Sequence, residues 1–189
     1  MALKYPLIFV DVETTHLFPS VGEIVDIAII TEDMDGVVSK FNTKIKPVSM
    51  RDADPKALEI NGYNETDWKG APLFKDVAWK VAQLLNNGTI IGHNVNFDVA
   101  FIKGHLRRAG ITSKISHHQF DTRMLMAEHA PTRSTSMKAA RMLFELSEDG
   151  SHTALVDVIH CRYVFHMLFQ CGWWRRMWLF IKYQMTFEE

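Results

Sequence analysis

Four consecutive apolar residues, Leu7-Ile8-Phe9-Val10, run into Asp11-Val12-Glu13, where acid and apolar positions alternate. A run this short and apolar predicts a strand over residues 6–12, buried on both faces. Glu23–Thr31 predicts a second strand. Asp35-Gly36 is a hairpin signal, and Val37–Ile45 predicts a third strand closed by Pro47. The chain thus opens with three antiparallel strands, and then the period changes. Pro55–Asn61 predicts a short helix ended by Gly62, and Pro72 opens a longer one to about Leu85. Thr89–Gly92 predicts a short buried strand. Asn96 is the expected N-cap of a helix from Phe97 to Ala109, stopped by Gly110. There follow a short strand near His118–Phe120, helices at Thr122–Glu128 and about Ser136–Leu146, and a long helix at about Thr153–Gln170 ended by Gly172. An antiparallel meander followed by alternating helices and strands predicts an α/β domain on a mixed sheet.

Composition narrows the picture little. A chain of 189 residues suits one domain with a real core, and a net charge of −1 gives no global push toward nucleic acid or membrane. No signal peptide is expected, since Leu3-Lys4-Tyr5-Pro6 leads straight into the first strand. Met177–Ile181 is too short to span a bilayer. Cys161 and Cys171 fall on one expected helix, ~15 Å apart along its axis, so they should not pair, and a cytoplasmic location with free thiols is expected. Charge is uneven, however. Between 103 and 141, Lys103, Arg107, Arg108, Lys114, Arg123, Arg133, Lys138 and Arg141 face only Asp121 and Glu128, a net of +6. That suits either a phosphate-tracking surface or scattered solvated helix faces. Trp173–Glu189 is an aromatic and basic tail, expected to pack on the domain or to mediate self-association.

On a strand, residues i and i+2 share a side, so Asp11 and Glu13 project together. A solvated strand end explains such a pair; so does a hard divalent cation held by oxygen ligands. Asp98 falls in the first turn of the Phe97 helix. Acids are favoured there by the helix dipole, but the end of a buried strand is also where α/β sites gather. His152 and Asp157 are five apart, which on one continuous helix separates them by ~140°. They converge only if His152 lies on the loop before the helix, which Gly150-Ser151 allows.

Taken in order, Asp11, Glu13, Asp98, His152 and Asp157 resemble the signature of the DnaQ-like (DEDDh) 3′–5′ exonucleases, in particular the DNA polymerase III epsilon-type domain. Ile45-Lys46-Pro47, Ala57–Gly62, Ala71-Pro72, Gly92-His93-Asn94 with Phe97-Asp98, and Asp121-Thr122 resemble that family's connecting pattern, over about residues 6–171. The resemblance implies a ribonuclease H-like mixed five-stranded sheet with helices on both faces, in a domain of residues 1–172. It implies hydrolysis of phosphodiesters from the 3′ end of single-stranded DNA, releasing nucleoside 5′-monophosphates, with two Mg²⁺ or Mn²⁺ ions. Asp11 would bridge the metals, Glu13 and Asp157 complete one shell, and Asp98 bind directly or through water. His152 would be the general base, ahead of His160. Thr14, Thr15, His16 and Leu17, with Phe18, Asn94 and Phe97, would meet the 3′-terminal nucleotides.

Two segments depart from the family pattern. His16 stands where the family has a glycine, and Arg133–Met142 matches only loosely. The competing expectations are an exoribonuclease of the same group, a non-catalytic nucleic-acid-binding module, and a polymerase subunit. All five signature residues are present, which argues against the module; the short chain after the domain favours stand-alone action.

Overall fold

Five strands form in the computed structural model, which describes residues 5–33, 35–36, 38–112 and 114–169. They are β1 (Leu7–Thr14), β2 (Ile24–Glu32), β3 (Val38–Lys44), β4 (Thr89–Gly92) and β5 (Gln119–Asp121), in the spatial order β3-β2-β1-β4-β5. β1 and β2 pair antiparallel, as do β2 and β3, whereas β1 runs parallel to β4 and β4 to β5. The mixed sheet is therefore present, with β1 at its centre. The helices are α1 (Pro55–Asn61), α2 (Glu65–Trp68), α3 (Phe74–Leu84), α4 (Val95–Arg108), α5 (Thr122–His129), α6 (Met137–Phe144) and α7 (Ala154–Phe169).

Strand alternation sorts the core into two layers. Ile8, Val10 and Val12 meet Ala78 and Val81 of α3 and Val99, Ile102 and Leu106 of α4. Leu7 and Phe9 meet Leu125 of α5, Leu143 of α6, and Ala154, Val158, Cys161 and Phe165 of α7. Asp11 and Glu13 continue the Leu7–Phe9 row, so the pleat aims them toward the α7 layer. The interior is ordinary large-apolar packing, where truncating a buried ring such as Phe9 costs about 3–5 kcal/mol.

The pairing of β1 with β4 covers only Leu7, Ile8 and Phe9. Beyond them β4 ends at Gly92, and the chain turns at once into α4. A Cβ on Gly92 would stand 3.0 Å from the Val95 Cα, so this close turn needs glycine.

Several expected boundaries are corrected. The N-cap of α4 is Asn94, not Asn96; its backbone is left-handed (φ 81°) and its side chain makes no cap hydrogen bond. Asparagine tolerates that conformation better than most residues. α3 starts at Phe74 rather than at Pro72, because the Pro72 carbonyl accepts the Lys46 N–H (2.8 Å) and stays outside the helix. α2 was not expected; four residues carry little periodicity. Asn64 caps it, and the Trp68 indole N–H anchors it to the Val25 carbonyl at 2.7 Å. Cys161 is a buried free thiol, and burial pushes its pKa up. Cys171, the Gly172 stop, the 172/173 domain boundary and the tail lie outside the described residues. Among the described residues no helix is long and apolar enough to cross a membrane.

Candidate active site

Asp11, Glu13 and Asp157 each bring a carboxylate oxygen to one place, all within 4.8 Å of one another. β1 supplies two by its alternation, and Asp157 stands in the first turn of α7. α7 is held there by a residue the sequence reading passed over. Asp26 of β2 lies directly opposite Glu13 in the register and is buried. One of its oxygens accepts the Ala154 N–H at the start of α7 (3.2 Å); the other accepts from the Asn42 amide (3.1 Å). A carboxylate on a free helix N-terminus is favourable, and here it also fixes where Asp157 falls. Its only signal in the sequence was an acid inside the apolar run Ile24-Val25-Asp26-Ile27-Ala28.

Asp98 arrives from the other layer. It is 3 % exposed, and its Oδ1 accepts the Val12 N–H at 3.0 Å. This is the edge of β1 that β4 no longer covers, so the Asp98 carboxylate stands in for the missing strand neighbour. Of the four acids expected as one ligand set, three share the close cluster, while Asp98 stands at the β1 edge, bonded to Val12, with its charge the largest acting on Asp11.

Electrostatics show the crowding. Burial, and then the charges of Asp98, Glu13, Asp157 and Asp26, raise the Asp11 pKa well above the carboxylate range. Burial, followed by Asp157 and Asp26, raises Glu13 to about 8, and burial raises Asp98 to about 8. Such acids need a positive partner. Among the described residues their carboxylates make one ion pair, from Arg141 of α6 to Asp157. Arg141 also donates to His160 Nδ1 at 3.3 Å. His160 is therefore buried beneath a guanidinium, and burial and Arg141 lower its pKa. That occupies the alternative base.

His152 does lie on the loop. It is exposed and left-handed (φ 65°), just before the Thr153 hydroxyl that donates to the Gly150 carbonyl at 2.7 Å. The turn offsets it from the helical phase, so that His152 and Asp157 line one cavity of about 470 Å³ with Arg141, Glu148 and Ser136.

The loop after β1 is built from its own residues. Thr14 and Thr15 are buried; the Thr14 hydroxyl donates to the His16 carbonyl (2.9 Å), and the Thr15 hydroxyl accepts the Glu23 N–H (2.9 Å). His16 does not have positive φ, so the family glycine's conformation is not required here. Its Nδ1 accepts the Phe18 N–H (3.0 Å), and the two rings pack at a tilt, 5.2 Å apart. Leu17 and Phe18 are 68 % and 63 % exposed, large apolar groups offered to solvent. Phe97 packs on Phe101 at 4.8 Å and is half-buried against the core. Asn94 is exposed, and its backbone N–H is pinned by Asp121 at 3.0 Å.

Comparison with known proteins agrees with this layout. A family model described as "Exonuclease", of the RNase T type, matches residues 8–165. The DNA polymerase III subunit epsilon of Treponema pallidum is 25 % identical over 158 residues, covering 82 % of this chain and 72 % of that protein. The PolC-type DNA polymerase III of Caldanaerobacter subterraneus subsp. tengcongensis is 29 % identical over 111 residues; the match covers 59 % of this chain but 8 % of that much longer protein. Among solved structures, Escherichia coli exonuclease I in complex with a dT13 oligonucleotide superposes with a TM-score of 0.72 at 16 % identity, covering 87 % of this chain and 42 % of that one. Cell-death related nuclease 4 gives 0.68 at 17 % identity, over 90 % and 70 %. Those structures share the fold, a ribonuclease H-like mixed sheet carrying helices. By the family match along nearly its whole described length, the chain belongs to the RNase T exonuclease family, within which it is similar to the DNA polymerase III epsilon subunits.

Proposed function

We propose that this chain is a metal-dependent 3′–5′ exonuclease that removes nucleoside 5′-monophosphates from the 3′ end of single-stranded DNA. The observation that carries the reading is the cluster itself: three hard carboxylates within 4.8 Å, crowded enough to push Glu13 to about 8, with one arginine to balance them. Oxygen donors at this density fit Mg²⁺ or Mn²⁺. Asp11, Glu13 and Asp157 would hold the metal, two ions by the family's precedent, with Asp98 at the β1 edge. When bound, such ions neutralise phosphate charge and activate water.

The chain's own residues do the rest. Asp26 fixes α7 so that Asp157 stays with the pair on β1. His152 takes the proton of the attacking water, since its imidazole lines the same cavity as Asp157. Leu17 and Phe18 stack against terminal bases, with His16 bracing Phe18. Asn94 and Phe97, at the start of α4, flank that end, and Thr14 and Thr15 shape it through the loop backbone. Lys103, Arg107, Lys114 and His117 gather around a cavity of about 550 Å³ on the outer face of α4, with no acid among its lining residues, which suits the phosphates of a longer strand. Association with a polymerase belongs to the same proposal, by analogy with the epsilon relatives. A cytoplasmic setting rests on the cysteine usage.

The test is degradation of matched 5′-labelled single-stranded DNA and RNA with Mg²⁺, Mn²⁺ or chelator. A ladder shortening from the 3′ end of DNA, lost with chelator, is expected. Faster shortening of RNA would transfer the reading to an exoribonuclease. No cleavage of either polymer with metal present would refute it.

A further inference from the structure

Arg141 is the anomaly of this site. It is 4 % exposed, lies in the segment that follows the family pattern only loosely, and was counted in the sequence among surface cations. The structure instead buries it against two residues of α7. Its Nη2 donates to Asp157 Oδ1, and its Nε to His160 Nδ1. A buried guanidinium without a carboxylate is strongly unfavourable, and so is a crowded carboxylate cluster without a cation; each answers the other's need. α6 is capped at Ser136 by a hydrogen bond to the Ala139 N–H (3.2 Å) and ends at Glu145, whose left-handed backbone (φ 54°) closes it. The arginine is thus delivered by a short, defined helix rather than by a loose loop.

We propose that Arg141 is a resident counter-cation that competes with the metal for Asp157 and so sets the metal affinity of the site. This rests on the metal-dependent reading above. A divalent ion bound by Asp11, Glu13 and Asp157 comes within a few ångströms of the guanidinium, in surroundings where charge is poorly screened. Metal loading therefore works against Arg141. Either the guanidinium gives up Asp157 or the two positive charges face each other across one carboxylate. The adjoining cavity of about 470 Å³, with Glu148 on its lining, gives the displaced side chain both room and a new acidic neighbour.

The test is calorimetric titration of the chelator-stripped full chain with MnCl₂ alone, no substrate present, on wild type, Arg141→Met and Arg141→Lys. Methionine keeps most of the buried volume and removes the charge, while lysine keeps the charge and loses the fork that grips Asp157. Arg141→Met is expected to bind Mn²⁺ about tenfold tighter or more, with a larger Mn²⁺-induced rise in Tm, and Arg141→Lys to fall closer to wild type. Equal or weaker Mn²⁺ binding by Arg141→Met, with wild type binding normally, overturns the competition and makes Arg141 a support for the bound metal. If Arg141→Met does not fold, Arg141→Lys and Glu148→Gln decide. The proposal then requires Mn²⁺ to bind Arg141→Lys at least as tightly as wild type, and Glu148→Gln more weakly than wild type, and either one failing overturns it. If wild type takes up no Mn²⁺ at millimolar concentration, the metal-dependent reading itself fails.

Discussion

Two buried charged clusters, one at each end of α4, behave oppositely. At the C-terminal half of α4, His105 is 3 % exposed, and its ring lies 3.3 Å from Glu23. Its Nε2 accepts the Ile24 N–H (3.1 Å), its Nδ1 meets the Phe101 carbonyl (2.9 Å), and Arg108 closes over it, reaching the Gly22 carbonyl (3.4 Å). Burial alone would raise the Glu23 pKa, but His105 and Arg108 outweigh it, and the value falls below the usual one. Around Asp11 the balance reverses. Burial and mutual repulsion dominate, and one arginine answers several acids. Both clusters bury charge; only one is complete by itself. The difference separates a tie that holds the β1–β2 loop onto α4 from a site that awaits a cation.

The largest effect that sharpens this contrast is on turnover. Asp157→Asn should reduce metal-dependent hydrolysis to background, and His152→Ala should lower kcat ~10²–10⁴-fold while leaving Mn²⁺ affinity nearly unchanged. Glu23→Gln, by contrast, should keep the turnover of each folded molecule close to wild type. Equal losses at Asp157 and Glu23 would erase the distinction between site and tie.

A second effect is in pH. Glu13 and Asp98 have folded pKa values of about 8, above those of the unfolded chain, so between about pH 4.5 and 8 the folded state binds more protons. Stability of the metal-free protein should therefore be greatest below that window and fall as pH rises through it. Urea unfolding across the range checks this, and saturating Mn²⁺ should flatten the slope. Stability rising from pH 5 to 8 without metal would contradict the crowding.

The smallest effect compares single neutralisations. At a pH high enough to ionise the cluster, Asp11→Asn removes a repelling charge and should stabilise the metal-free protein by about 1–2 kcal/mol. Glu23→Gln removes a satisfied one and should destabilise it by about 1–3 kcal/mol. Opposite signs in chelator are the expected outcome of paired denaturation curves.

What the sequence made legible was local. The alternation of β1 put Asp11 and Glu13 on one side, and Gly150-Ser151 allowed His152 to leave the helical phase, which its φ of 65° then accomplishes. The order of strands and helices sufficed for a mixed sheet. What stayed hidden depended on contacts between distant segments. Asp26 becomes a cap for α7 only through a register that sets it beside Glu13, 128 residues before Ala154. Arg141 resembled any cation of an amphipathic helix until α6 turned it onto α7. Asn94 as the start of α4 was hidden, and Asn96 expected there instead, because its part in the helix is conformational: a left-handed backbone without the side-chain hydrogen bond that N-cap patterns reflect. Thr14 and Thr15 follow the acids in the sequence, but that their hydroxyls also close the loop depends on its folded path.

The hydrogen bond from Val12 to Asp98 has a spectroscopic use. A backbone amide whose acceptor is a carboxylate oxygen is sensitive to that oxygen's charge and position, and its exchange with solvent requires the bond to open. Val12 lies in the central strand between Asp11 and Glu13, so its amide reports that end of β1 together with Asp98. Its single amide resonance can follow Asp98 as metal or a 3′ end arrives, with no label attached and no turnover needed.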